Sequence, residues 1–180
     1  ALWGIHNEVD AILWPLFIFT IFGTIESVAA VPVIVSLSTA LFSYLAGKLT
    51  KRYGTRMIIV GSLIIACIWI LRLTLQSAPL YYATVFLVGI FSLLVSIPID
   101  VNITKRGLAI GSLAAATYRN ATSMVLHIPL YIALALLVEV FKVSFGLAAS
   151  SLFVIVFVML LLNTKISNAS VGKTRAVSER

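Results

Sequence analysis

Charge is scarce in this sequence, and negative charge most of all: Asp and Glu together number 6 against 13 Lys and Arg, and charged residues are 11% of the 180. A soluble domain carries about 25% charged residues, so a water-facing surface is excluded for most of the chain. Cysteine is nearly absent too. Cys67 stands alone, which excludes an intrachain disulfide. The two histidines, His6 and His127, lie far apart without a cysteine cluster, so no structural zinc site is expected. The phosphate-binding pattern G-x-x-x-x-G-K-[ST] is missing, so ATP is not expected to drive this chain directly, and no cofactor is expected.

What is present is apolar. Hydrophobic residues make up 61%, and the mean hydropathy is +1.12, the composition of an integral membrane protein. The net charge of +7 would suggest nucleic acid in a soluble protein. Here Lys and Arg cluster between apolar runs, as in membrane topologies, and no nucleic-acid partner is expected. A helical span needs about 20 mostly apolar residues. By that measure six helices are predicted: Trp3 to Thr24, Glu26 to Ala46, Met57 to Leu75, Tyr81 to Ile99, Tyr118 to Val138 and Phe145 to Leu162. Leu108 to Thr117 reads as an interfacial lead-in, with turns at Gly23 to Glu26 and Gln76 to Leu80. Residues 1–162 thus form one transmembrane domain, and 163–180 a polar, disordered tail.

Lys and Arg also orient the spans. With the loop around Lys48 inside, the inner side holds Lys48, Lys51, Arg52, Arg56, Lys105, Arg106, Arg119, Lys165, Lys173, Arg175 and Arg180, and the outer side only Arg72 and Lys142. Eleven against two places both ends in the cytoplasm, with the plasma membrane as the expected site. The sequons at Asn102, Asn120 and Asn168 then fall on the inner side and read as chance matches.

The loop from Gly47 to Arg56 reads G-x-L-x-x-R-x-G-x-R through Gly47, Leu49, Arg52, Gly54 and Arg56. It resembles the loop between the second and third helices of each half of the major facilitator superfamily, G-x-L-a-D-r-x-G-r-k. The resemblance implies an all-α membrane protein of six transmembrane helices, half of a major-facilitator-type bundle. It most resembles helices seven to twelve, with a six-helix half expected upstream in the same chain. It implies a secondary transporter that moves a small solute by alternating access, among membrane lipid, and Gly47, Lys51, Arg52, Gly54 and Arg56 as a cytoplasmic gate loop. One departure stands out: Lys51 occupies the position of the family's acidic residue, which is implicated in a charge lock.

Ionisable groups at membrane depth are costly and are the default functional candidates. Glu8 and Asp10 lead, as substrate or proton contacts if the first helix begins near Trp3, or as solvated residues near its N-terminus if it begins later. Asn120, Ser123, His127 and Tyr131 recur at i, i+3, i+7 and i+11 and form one polar stripe. Asp100 and Arg119 are a possible gate pair across the inner ends of two helices. Arg72 is expected to snorkel to the interface. Ser36, Thr39, Ser43 and Gly47 read as a close-packing face or as the surface that meets the other half, and Gly89, Ser92, Ser96 and Asp100 form a similar one. A self-contained six-span homo-oligomeric channel or scaffold is the alternative to a transporter; an enzyme is not expected.

The charge bias generates a test of orientation. A cysteine at Lys51, in a Cys67→Ser background, should react with a membrane-impermeant maleimide from the cytoplasmic face only; labelling from outside would reverse the topology.

Overall fold

In the computed structural model the backbone of residues 2–75, 77–135 and 140–178 is described; side chains are described for these except 106, 108–110, 112, 115, 118, 119, 122, 123, 126, 129, 130, 133–135, 140 and 164–178. The chain is almost entirely helical: α1 (Leu2–Glu8), a π-helical turn (Val9–Leu13), α2 (Trp14–Phe22), α3 (Ile25–Arg72), α4 (Ala78–Ile110), α5 (Ser112–Ala135) and α6 (Val140–Ser178). Among the described residues, four helices are long and apolar enough to cross a bilayer: Leu2–Phe22, Ile25–Arg72, Ala78–Lys105 and Phe141–Asn163. The protein is on that ground an integral membrane protein.

The first of these passes without interruption through α1, the π turn and α2. Its widened turn sits just before Pro15. A proline has no N–H and its ring clashes with the carbonyl four residues back, here Ala11. The ladder shifts instead, and the Trp14 N–H donates to the Val9 carbonyl, five residues back. Gly23, at φ 66°, then ends α2 in the left-handed conformation, its N–H donating to the Phe19 carbonyl at 2.8 Å. Thr24 caps α3 by accepting from the Ser27 N–H at 3.3 Å.

At 48 residues α3 is about 72 Å long if straight, more than twice the hydrocarbon thickness. It is not straight. Tyr53 leaves helical geometry at φ −128°, ψ 19°, inside the basic stretch, and the contacts with α4 reverse there. Before Tyr53 they run in the same sense, Ser27 accepting from the Tyr82 hydroxyl and Ser38 lying against Gly89. After it they run in the opposite sense, Gly54 beside Pro98, Gly61 beside Val95 and Arg72 bonded to Thr84. The two limbs of α3 therefore lie antiparallel, both against α4.

Several boundaries differ from the sequence reading. Pro98 does not end α4; it lies inside a helix that stops at Gly111, at φ 100°. A membrane helix tolerates an interior proline because packing around the freed carbonyl stabilises it, and Gly54 lets α3 approach here. The expected lead-in is split by Gly111 between α4 and α5. α5 is not among the four apolar helices: Asn120 and His127 interrupt its apolar character, and residues 136–138, the apolar end of the expected fifth span, lie outside the described residues. The helical backbone of α6 continues through 163–178, past the point where the sequence reads as an irregular tail.

The face with Ser36, Ser43 and Gly47 does not pack closely: both serines are exposed and Gly47 has nothing near its α-carbon. Ser38, on the adjoining face, makes the close contact instead. A Cβ on Gly89 would collide with the Ser38 hydroxyl, and one on Gly61 would lie 2.8 Å from Val95 Cγ2 and 3.1 Å from the Phe91 carbonyl oxygen. Gly61→Ala should therefore destabilise the protein by about 1–3 kcal/mol through overpacking. Gly47→Ala should be neutral or stabilising by up to about 1 kcal/mol, since the glycine weakens a helix and nothing opposes a methyl group. Thermal unfolding in matched detergent reads both.

Candidate functional site

The site is organised around a charge with no access to water. Arg72 is the last residue of α3, and its side chain is 0% exposed. Its Nη1 donates to Asp10 Oδ1 at 3.0 Å and its Nε to Thr84 Oγ1 at 3.1 Å, while the Thr84 hydroxyl donates to the Tyr81 carbonyl at 2.7 Å. The guanidinium carbon lies 3.8 Å from the Trp14 ring centroid and 4.3 Å from that of Trp69. Flat and weakly hydrated, a guanidinium can stack on an indole while its edge donates to a carboxylate. A lysine could not do both.

Helical spacing delivers these groups. Trp69 and Arg72 lie three apart and share a face of α3. His6, Asp10 and Trp14 recur at four-residue intervals on the first span and meet that face. His6 Nδ1 accepts from the Trp69 indole at 2.9 Å, and Trp3 packs on the His6 ring at 4.7 Å. Phe145 of α6 closes the cluster, 5.4 Å from Trp14 and 5.0 Å from Trp69 between ring centroids.

Glu8, two residues before Asp10, points to the other side of the helix. The Tyr131 hydroxyl of α5 donates to Glu8 Oε1. His127 Nε2, one turn away, lies 3.8 Å from Glu8 Oε2 and is buried without a hydrogen-bond partner. That separation exceeds a hydrogen bond, and closing it takes a shift of about 1 Å. The two acids thus differ in kind. Asp10 is held by a buried cation, whereas Glu8 faces the Tyr131 hydroxyl and the His127 imidazole.

Beside Asp10 a cavity of about 610 Å³ opens between the first span, the first limb of α3 and α4, with His6, Asn7, Asp10, Val31, Val35 and Ser92 in its wall. Its volume suits a small organic solute, and its lining is mostly apolar with few polar groups.

The structure brings Glu8 and His127 together, and places Asp10 with groups the sequence reading did not assign to it. Arg72 does not snorkel. It turns inward because Asp10, Thr84 and two indoles supply what the interface otherwise would. Asn120 is exposed on α5. The Ser123 and Arg119 side chains lie outside the described residues, and so does the proposed pairing of Asp100 with Arg119. Asp100 borders a shallow cleft with Thr104 and Lys105. In the basic stretch expected to form a gate loop, which is helical except at Tyr53, Lys51, Arg52 and Arg56 are exposed, Arg52 lying 5.2 Å from the Tyr53 ring centroid, and Gly47 and Gly54 are half-buried. Arg56 borders a cleft with Tyr53 and Leu94. No family model matches the chain, and no curated protein or solved structure matches it.

Removing one side of a buried pair leaves the other uncompensated, at a cost of about 3–5 kcal/mol. Asp10→Asn should lower stability by that order, and Asp10→Asn combined with Arg72→Met should recover most of it. Thermal unfolding of the two single variants and the double variant measures the coupling; strict additivity would show that the pair is not a structural unit.

Proposed function

We propose that the chain works as one six-helix half of a major-facilitator-like secondary transporter, moving a small solute across a membrane by alternating access. The two limbs of α3 supply the second and third helices, and Gly47 to Arg56 the loop between them, with both ends of the half in the cytoplasm at the plasma membrane. Asn120, Ser123 and His127 line the path from α5, and Asp100 with Arg119 gates its inner end. A second six-helix half of the same chain faces the cavity, because alternating access works by rocking one half against another around a central site.

The observation that supports the reading is the parting of two acids on the first span, beside the π-helical turn at Val9–Leu13: Asp10 is bonded to Arg72 and borders the solute-sized cavity, while Glu8 lies against Tyr131 and His127 on the other side of the helix. π turns recur at functional sites. Asp10 is a fixed support; Glu8 carries the coupling proton and His127 relays it. Lys51 lies exposed where the family's acid would stand, so the charge lock does not operate in this half.

Alternating access exposes the cavity to each side in turn. Asn7→Cys, in a Cys67→Ser background, should react with a membrane-impermeant thiol reagent from either face of a proteoliposome, without ion conductance. Labelling from one face only would overturn the transporter reading, and two-sided labelling with conductance would replace it by a channel.

A further inference from the structure

The cavity wall combines two unspent hydrogen-bonding groups with no net charge. Trp69 donates to His6 Nδ1; an indole nitrogen can only donate, so Nδ1 carries no proton and the ring is neutral, its proton on Nε2. Among the described residues that Nε2–H finds no hydrogen-bond acceptor. Asp10 spends Oδ1 on Arg72 and keeps Oδ2, and Arg72 balances its charge. His6 and Asp10 lie four residues apart, and so on one helix face. Asn7 and Ser92 add neutral polar groups, and Val28, Val31 and Val35 an apolar wall.

We infer that this cavity takes a neutral amphipathic solute, an apolar body ending in a hydroxyl that accepts from His6 Nε2–H and donates to Asp10 Oδ2. The inference rests on the transporter reading above, which makes the cavity the solute site. Either kind of charged head is disfavoured on physical grounds. An ammonium meets a carboxylate whose charge Arg72 already balances, and a carboxylate head meets Asp10 with no cation exposed to it. Each would give up its hydration for no compensating partner, and an unpaired charge out of water is costly.

The experiment uses the full chain in lipid nanodiscs and three probes of one shape: 1-adamantanol, 1-adamantylamine as its ammonium at pH 7, and adamantane-1-carboxylate. A ligand that binds the folded state raises the melting temperature according to its concentration over its dissociation constant. Adamantanol should raise it at concentrations about tenfold below those needed by either ion. Ala29→Trp and Ala11→Trp, each filling the cavity from an exposed rim position, should abolish the rise and so separate cavity binding from any effect on the lipid. If an ion acts at concentrations equal to or below those of adamantanol, and the tryptophan variants abolish that effect, the site stands and the neutral class is wrong. If no probe distinguishes the wild type from both variants, the cavity is not a solute site and the inference falls with that reading.

Discussion

A guanidinium that cannot reach water has to be compensated where it sits, and the arrangement around Arg72 follows from that requirement. Asp10 supplies the charge, Thr84 an acceptor, and Trp14 and Trp69 two π faces. These four residues come from the first span, α3 and α4, so holding one side chain ties three membrane-embedded elements together, although its Nη2 stays buried without a hydrogen-bond partner among the described residues. Between apolar helices in lipid, with no hydrophobic drive towards association, polar contacts and close packing carry more of the specificity. The close approaches of Gly61 to Val95 and of Gly89 to Ser38 do the same work further along α4.

The π turn is the second feature, and the ladder widens just before Pro15, whose ring would clash with the carbonyl four residues back. Pro32 and Pro98 lie inside their helices without such a turn. Glu8 and Asp10, two residues apart and so on opposite sides of the helix, acquire different partners. One becomes part of the packed cluster around Arg72. The other lies against Tyr131 and His127.

The functional reading connects these features. A cavity whose wall includes Asp10 borders a helix whose other face carries Glu8, so the proposed solute and proton sites would be separated by the width of one helix. Coupling between two such sites requires an element that both can bias, and the first span has that position. The proposed preference for a neutral solute rests on the same geometry, because the buried pair leaves no net charge for an ion to meet.

Composition and periodicity were enough for much of this. Apolar runs set the helical, membrane-embedded class, Gly23 marked the first turn, and the spacing of His127 and Tyr131 put both on one stripe of α5; that this stripe meets Glu8 was not legible in the sequence. The spacing of His6, Asp10 and Trp14, together with Trp69 and Arg72, held the second cluster in legible form. Yet a lone arginine at a helix end reads first as one that reaches for the interface. Only the tertiary structure decided otherwise, because a side chain's exposure depends on what the neighbouring helices bring to it, and Asp10, Trp69 and Thr84 come from three different elements. The same holds for α3. The reversal fell where the sequence placed a loop between two spans, but the nearly continuous helix through the basic stretch, broken only at Tyr53, and the packing of both limbs on α4 are properties of helix–helix contact, which local sequence does not encode.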